Sequence, residues 1–214
     1  MTDHRIEGIL FDCDGVLVDS LEAAARAWDA WSLSYAPDYD FRTMIEHGVR
    51  AADTVATLVH ADQFTRAVRD LEIEELNTVE GTVAIPGAVA LTTSLGTLPW
   101  AVVTSGTRRL AHARLRAANI PCPRGVVAAE DVHQGKPAPE PYLKGAELLG
   151  VPPDRCAVFE DAPAGIAAAR AAGAGLVVGV GLAAAAAGPD ITIPDLTAAR
   201  YQDSLLSLTR NLSG

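Results

Sequence analysis

The 214-residue sequence has few cysteines, few aromatic residues and no apolar run long enough to cross a membrane. Its three cysteines, Cys13, Cys122 and Cys156, are an odd number without ligand-like spacing. They therefore indicate neither a disulfide scaffold nor a zinc site, and we expect three small buried hydrophobes in a protein of the reducing cytoplasm. The alanine-rich run at 183–187 is too short for a membrane span, and the polar N-terminus does not resemble a signal peptide.

Basic residues are also scarce, with 17 Lys and Arg against 27 Asp and Glu and a formal net charge of -10. This balance argues against nucleic acid and anionic membranes as partners, because both are bound through basic patches. An anionic substrate must therefore be attracted locally, by a metal or a few cations. The 49% of hydrophobic residues is enough for a substantial core. Nothing in the sequence suggests an obligate interface, so we expect a monomer.

Short apolar runs typical of strands alternate with helical patterns along most of the chain. The predicted strands lie at 8–11, 100–104, 125–127, 157–159, 176–180 and 191–193. Helices are predicted at 86–96, 110–118 and 139–150, and a C-terminal helix is predicted with Tyr201, Leu205, Leu208 and Leu212 on one side. This alternation predicts an α/β fold with a Rossmann-like parallel sheet covered by helices.

The interval between the first two predicted strands, 16–84, is too long for one crossover connection and has helical patterns throughout. Asp19 and Glu22 predict a cap before a helix over 23–31, and apolar stripes follow at 52–59 and 64–71. We therefore predict an α-helical cap domain at 16–84, inserted into a catalytic core formed by 1–15 and 85–214. An insertion after the first strand lies over the carboxyl edge of the sheet, where it can cover a substrate and exclude water.

Two carboxylates, Asp12 and Asp14, directly follow the first predicted strand. On one strand face their like charges would repel, so we place them at the carboxyl end of the strand, where open α/β sheets bind ligands. Two unpaired carboxylates so close together call for a divalent cation. Cys13 lies between them, and we expect its side chain to point away into the core.

Three later polar clusters lie at the ends of predicted strands or shortly after them. Thr104 begins a hydroxyl-rich turn at the start of a helix, which suits an anionic oxygen. Lys136 precedes a proline-started helix and can neutralise both a nucleophile and a phosphoryl group. Glu160 and Asp161 add acids that can complete the oxygen shell of a metal. Each cluster alone is more often a turn, helix cap or exposed loop, but their common placement favours one site.

In this order, the clusters resemble the four motifs of the haloacid dehalogenase superfamily. The residues that carry the resemblance are, in chain order, Asp12, Asp14, Thr104, Lys136, Glu160 and Asp161. The resemblance covers nearly the whole chain. It implies a Rossmann-like core with a helical cap inserted after the first strand, and Mg2+ as the cofactor.

The resemblance also implies a role for each catalytic residue. Asp12 is expected to be the nucleophile that forms an aspartyl-phosphate, and Asp14 the general acid and then the base. Thr104 and Lys136 are expected to bind the phosphoryl group. These roles suit the residue types, because covalent capture divides hydrolysis into two steps that both need charge neutralisation.

The implied metal ligands are Asp12, the main-chain carbonyl of Asp14, and Asp161. Glu160 is expected to be a further partner, bound to the ion either directly or through water. Dehalogenases of the superfamily lack the second aspartate, so Asp14 disfavours that activity.

Residues 47–54 and 80–88 resemble the cap segments of sugar-phosphate and glycerol-phosphate phosphatases within the superfamily. The predicted substrate contacts are Ser105, Gly106, His47, Gly48 and Arg50. His47 and Arg50 are expected to hydrogen-bond substrate hydroxyls or the phosphate. The structural alternative is that His47 satisfies a helix end and Arg50 pairs with Asp53, one turn later on the same helix face.

The leading prediction is Mg-dependent hydrolysis of a small phosphorylated sugar or polyol. A phosphomutase of the β-phosphoglucomutase kind is the nearest alternative, but it carries a histidine early in the first cap helix where this chain has Ala24. A non-catalytic binding protein of the same fold is a third possibility. Its usual mark is the loss of a motif residue, and none is missing here.

Overall fold

The computed structural model describes residues 1–209 and is built on a six-stranded parallel sheet. The strands are β1 (Thr2–Arg5), β2 (Gly8–Phe11), β3 (Val18–Asp19), β4 (Val83–Ala84), β5 (Trp100–Val103), β6 (Val126–Val127), β7 (Cys156–Glu160), β8 (Leu176–Val180), β9 (Ile191–Ile193), β10 (Ala199–Gln202) and β11 (Leu205–Leu208). The helices are α1 (Leu21–Tyr35), α2 (Phe41–Met44), α3 (Ala51–Leu58), α4 (Phe64–Asn77), α5 (Ala88–Ser94), α6 (Arg108–Ala117), α7 (Glu140–Leu149), α8 (Pro163–Ala171) and α9 (Leu182–Ala185).

The large sheet has the strand order β6-β5-β2-β7-β8-β9, so β2 lies between β5 and β7. This confirms the predicted α/β fold with a parallel sheet. Phe11, the last residue of β2, is level with Val102 of β5 and with Phe159 of β7. The residues that follow these three positions therefore meet at one edge of the sheet, which is where the sequence places its polar clusters.

Both faces of the sheet are buried, as expected for a parallel sheet covered by helices. Ile9 and Phe11 belong to one hydrophobic cluster and Leu10 to the other, because successive residues of a strand point to opposite faces. The Phe11 ring packs against Phe159 at a centroid distance of 5.0 Å and against Trp100 at 5.8 Å. The strand that carries the predicted nucleophile is thus fixed from both sides.

The first four helices have a hydrophobic cluster of their own, separate from the two on the sheet. Trp28 and Trp31 of α1 pack edge to face at 5.4 Å, and the Trp31 indole N–H donates to the carbonyl of Ala67 on α4 at 2.8 Å. Both tryptophans therefore serve cap packing, as predicted. The exact limits of the cap domain, 16–84, stay a prediction.

Residues 16–84 are not helical throughout, contrary to the sequence-based expectation. Val18 pairs antiparallel with Ala84, so the outgoing and returning chains form the two-stranded ribbon β3-β4 at the base of the cap. The first helix also begins earlier than predicted, after Ser20 rather than at residue 23. Asp19 accepts a bond from the Leu21 N–H at 3.2 Å, whereas Glu22 pairs with Arg42 instead of capping the helix.

The C-terminal helix predicted from Tyr201, Leu205 and Leu208 is wrong, because this segment forms the antiparallel hairpin β10-β11. β11 also pairs with β1, a strand that the sequence analysis did not predict. Two consecutive turn residues, 203 and 204, adopt positive φ angles of 52° and 65°, which suits a tight hairpin turn. Leu212, the fourth residue of the predicted stripe, lies outside the described residues.

The cysteines are free, and two of them are buried as expected. Cys122 is exposed, contrary to the prediction, because it lies between Pro121 and Pro123 in the connection from α6 to β6. Within residues 1–209, no helix combines the length and the hydropathy that spanning a bilayer requires.

A leucine substitution distinguishes the hairpin from the helix at the C-terminus. Leu206 is fully buried, whereas the predicted helical stripe omits it and uses Leu205. Leu206→Ala should lower the free energy of unfolding by about 2 to 5 kcal/mol, the usual effect of truncating a buried leucine. Denaturant unfolding is the measurement, with Leu205→Ala as the control. A larger loss for Leu205→Ala than for Leu206→Ala would contradict the hairpin.

Candidate active site

A buried lysine connects the polar ends of the central strands. Lys136 lies in the loop before α7, and its Nζ donates to Asp12 Oδ1 at 2.6 Å, to Glu160 Oε1 at 2.5 Å and to the carbonyl of Val103 at 3.1 Å. All three ammonium donors are therefore satisfied. Burial alone would lower the pKa of Lys136, but the charges of the two carboxylates outweigh it and raise the pKa. The lysine is a permanent cation beside Asp12.

Glu160, the last residue of β7, is fully buried and has protein partners on both oxygens. Its Oε1 also accepts from the Tyr142 hydroxyl at 2.6 Å, while Oε2 accepts from the N–H groups of Asp161 at 3.1 Å and Ala162 at 3.3 Å. A Cβ at Gly165 would overlap this carboxylate, so glycine is required in the first turn of α8. Burial raises the pKa of Tyr142 well above its ordinary value, which keeps the phenol protonated as a donor.

Carboxylate oxygens of Asp12, Glu160 and Asp161 lie within 4.8 Å of one another. Burial raises the pKa of Asp12 well above its ordinary value, and it raises that of Asp161 to about 7 with a further contribution from the Glu160 charge. The single ammonium of Lys136 does not balance three carboxylates, so the cluster favours an additional cation. Its hard oxygen donors suit Mg2+.

Gly15 makes room for this acidic cluster. Its φ of 85° lies in the left-handed region, and a Cβ at this position would overlap the Asp161 carboxylate. The glycine that follows the Asp12-x-Asp14 motif therefore allows two chain segments to approach closely. The side chain of Asp14 is not part of the cluster, so its predicted part in metal binding rests on its main-chain carbonyl.

The Asp14 carboxylate is held by two donors that were not predicted from the sequence. Its Oδ1 accepts from the Ser20 hydroxyl at 2.5 Å and from Arg114 Nη1 at 3.0 Å. Arg114 also donates to Glu75 on α4 through Nη2, at 3.1 Å. Glu75 lies four residues after Leu71 on the buried side of its helix. An acid within an apolar stripe is the sequence signal by which this buried pair could have been found.

The loop after β5 joins the core to the cap. Thr104 is buried, and its Oγ1 accepts from the N–H of Gly106 at 3.0 Å. The hydroxyl of Ser105 donates to the main-chain carbonyl of Gly48 at 2.6 Å. Gly48 belongs to the predicted cap segment, and Ser105, Gly106 and Gly48 line the same cavity, so their role as substrate contacts stays a prediction.

Arg50 pairs with Asp53, which was the structural alternative to a substrate contact. Its guanidinium makes two hydrogen bonds to Asp53, at 2.7 and 2.9 Å, and Nη1 reaches the carbonyls of Val132 at 3.5 Å and His133 at 3.4 Å. The ring of His47 lies edge-on to Phe41 at 6.3 Å. Both residues line the same cavity as Asp12, so a role in substrate binding stays a prediction.

A cavity of about 420 Å³ lies between the sheet edge and the cap. Its apolar part includes Trp28, Phe41 and Leu71. The acidic residues that line it are Asp12, Asp14, Asp19, Glu46, Glu72, Glu75 and Asp161. Among residues 1–209, the arginines that line it are Arg50 and Arg114, and both are paired with carboxylates. The charged side chains that line it are therefore mainly acidic, and Lys136, whose three donors are engaged, is not among the lining residues. An anionic ligand would rely on the loop after β5 and on any bound metal.

Comparison with known proteins agrees with this geometry. The family model of haloacid dehalogenase-like hydrolases matches residues 6–173, and the chain belongs to this family. It is 43% identical to hexitol phosphatase A of Escherichia coli over 178 residues, covering 79% of this chain and 81% of the relative. It is 39% identical to glycerol-1-phosphate phosphohydrolase 2 of Saccharomyces cerevisiae over 186 residues, covering 81% of this chain and 74% of the relative.

The chain is also similar to a phosphomutase in sequence and to a solved hydrolase in structure. The chain is 31% identical to the β-phosphoglucomutase of Mycobacterium bovis over 246 residues, covering 90% of this chain and 91% of the relative. Among solved structures, a hydrolase from Pseudomonas syringae superposes with a TM-score of 0.77 at 26% identity, covering 89% of this chain and 94% of that one. The predicted family and fold are confirmed, and so is the enzyme class, a phosphoric monoester hydrolase.

Removing one acid of the cluster tests whether it holds a metal. Asp161→Asn should weaken Mg2+ binding by roughly tenfold or more, because an amide lacks the negative charge that a hard cation prefers. Isothermal titration with MgCl2 measures the affinity, and Asp154→Asn, at an exposed acid near the start of β7, is the control. Equal Mg2+ affinity in the wild type and Asp161→Asn would show that the cluster is not the metal site.

Proposed function

We propose that the protein is a Mg2+-dependent phosphohydrolase that cleaves small phosphorylated sugars or polyols through an aspartyl-phosphate on Asp12. The observation that carries the proposal is the placement of Asp12, which lies at the cavity floor and is oriented by the buried ammonium of Lys136. The names of the hexitol and glycerol-1-phosphate relatives support the substrate class. A cytoplasmic location and a monomeric state stay predictions.

The proposed metal site uses Asp12, the main-chain carbonyl of Asp14, and Asp161. Between the two alternatives for Glu160, contact through water is favoured, because both of its oxygens already accept hydrogen bonds from the protein. When bound, Mg2+ would supply positive charge that offsets the charge of the phosphate oxygens.

The first proposed step is the attack of an Asp12 oxygen on phosphorus. The bond from phosphorus to the ester oxygen breaks, and this oxygen leaves with a proton from Asp14. Lys136 keeps the attacking carboxylate oriented. Thr104 and the main-chain N–H of Ser105 bind phosphoryl oxygens, because the Ser105 hydroxyl is already engaged with the cap and the Gly106 N–H donates to Thr104 Oγ1.

The second proposed step is the hydrolysis of the phosphoenzyme. Asp14, now a carboxylate, takes a proton from a water molecule as the water oxygen attacks phosphorus. The bond between phosphorus and the Asp12 oxygen breaks, which releases inorganic phosphate and restores the Asp12 carboxylate. The cap limits the access of bulk water during the first step.

The charge of the cavity favours hydrolysis over phosphosugar transfer. A mutase has to hold a sugar bisphosphate between its two half-reactions, and the second phosphate needs cations of its own. In the described part of this cavity, the arginines Arg50 and Arg114 are already paired with Asp53, Asp14 and Glu75. Uncharged hydroxyls can donate to the acidic lining, so a monophosphorylated polyol fits it better. Ala24 also lines the cavity where mutases carry a histidine.

The nucleophile is tested by Asp12→Asn. An amide has nearly the same shape as the carboxylate but cannot form the acyl phosphate, so kcat should fall by about a thousandfold or more. Phosphate release from glycerol, hexitol and p-nitrophenyl phosphates measures the loss, and circular dichroism verifies the fold. The control is Asp62→Asn, at an exposed cap residue. Retention of about a tenth of the wild-type kcat would exclude Asp12 as the nucleophile.

Product analysis separates the hydrolase from the mutase. With a hexose 1-phosphate and Mg2+, the wild-type enzyme should release inorganic phosphate and form no hexose 6-phosphate, because residues 1–209 offer the cavity no unpaired arginine for a second phosphate. Phosphorus NMR distinguishes the products. Accumulation of hexose 6-phosphate would favour the mutase, and no reaction with any phosphate ester, including p-nitrophenyl phosphate, would favour a binding protein.

A further inference from the structure

Arg114, on core helix α6, contacts both the cap and Asp14, the proposed general acid and base. Its Nη1 donates to Asp14 Oδ1 at 3.0 Å, and its Nη2 donates to Glu75 Oε1 at 3.1 Å. Asp14 belongs to the loop after β2, whereas Glu75 belongs to α4 of the predicted cap. One guanidinium therefore bridges two parts of the fold whose relative position determines the shape of the cavity.

The Arg114 and Glu75 side of the bridge is shielded from water, whereas the side chain of Asp14 is 32% exposed. The side chain of Arg114 is 7% exposed and that of Glu75 is 11% exposed. A buried ion pair depends on geometry, since an isolated charge in this environment is strongly unfavourable. The guanidinium presents two separate Nη donor atoms to the two carboxylates in one plane, whereas the donors of an ammonium share one nitrogen. The Nε–H of Arg114 has no hydrogen-bond partner in residues 1–209.

A second contact joins the same two helices. Three residues before Glu75, Glu72 accepts from the Thr107 hydroxyl at 2.7 Å, and Thr107 is the N-cap residue of α6. Residues three apart lie on the same side of a helix, so α4 presents both acids to α6. One contact lies beside the loop that begins at Thr104, and the other lies beside Asp14. The cap is thus attached to the core next to both proposed catalytic elements.

We propose that Arg114 is a positioning residue that holds the Asp14 carboxylate for water activation, and that Glu75 ties this position to the seated cap. The proposal rests on the proposed role of Asp14. Arg114 and Ser20 together hold Oδ1 of Asp14, which restricts the rotation of the carboxylate. Hydrolysis of the phosphoenzyme needs this orientation, because the base must meet a water molecule in line with phosphorus. Transfer from p-nitrophenyl phosphate needs it less, because p-nitrophenolate leaves without protonation.

Rapid-quench kinetics with p-nitrophenyl phosphate and Mg2+ test the proposal. In Arg114→Met, phosphoenzyme hydrolysis should slow by about tenfold or more while its formation changes by less than about threefold, so phosphoenzyme accumulates. Arg114→Lys, which can restore one hydrogen bond to Asp14, should recover part of the hydrolysis rate. Arg116→Met, at an exposed arginine of the same helix, is the matched control and should behave as wild type.

Glu75→Gln tests the connection to the cap. It leaves the Arg114 contact to Asp14 in place but removes the negative charge of Glu75. Because the cap is then held less firmly to the core, KM for glycerol and hexitol phosphates should rise by about threefold or more. KM for p-nitrophenyl phosphate should change less, because its leaving group has no hydroxyls for the cap to bind. Glu74→Gln on the same helix is the control. Unchanged KM for polyol phosphates in Glu75→Gln would overturn this part of the proposal.

The outcomes separate this inference from the proposed function. Equal slowing of both half-reactions in Arg114→Met would show that the residue is structural, and so would equal slowing of both in Arg114→Lys if the methionine variant does not fold. Absence of any phosphoenzyme in the wild type would overturn the proposed function, and the role of Arg114 with it. A normal wild-type phosphoenzyme with uniform slowing in the variant would overturn only the positioning role.

Discussion

The buried ammonium of Lys136 is the interaction on which the site depends. It donates to both Asp12 and Glu160, and neither carboxylate is well hydrated. Removal of Lys136 would leave two buried negative charges facing each other. With Asp161 nearby, the cluster still carries excess negative charge, which explains why it suits a divalent cation. Burial raises the pKa of Asp161 to about 7, and the negative charge of Glu160 contributes to the shift.

The sheet and its polar edge were predictable because their signals are local. Strands buried on both faces are short apolar runs, and residues after them must meet where parallel strands end, as Asp12 and Glu160 do. The C-terminal segment looks helical in sequence because Tyr201, Leu205 and Leu208 also fit a helical period, whereas the strand pairing and the alternate burial of Leu206 and Leu208 define a hairpin.

The contacts between the cap and the core were not predictable in the same way. Arg114 meets Asp14 from 100 residues away and Glu75 from 39, and no sequence period records such a distance. These contacts nevertheless hold the cap against the core beside the cavity. In the proposed function, the phosphate lies at the sheet edge, and the mainly apolar and acidic cap surface suits an uncharged, hydroxyl-rich leaving group.

Chemical trapping of the covalent intermediate tests the central claim most directly. The enzyme is quenched in acid during turnover of p-nitrophenyl phosphate with Mg2+ and reduced with borohydride, which converts an aspartyl-phosphate to homoserine. Peptide mass spectrometry should then find homoserine at residue 12, with Asp14 and Asp161 unchanged. Phosphate release without any modified aspartate, or with homoserine at residue 14 or 161, would contradict the assignment of Asp12 as the nucleophile.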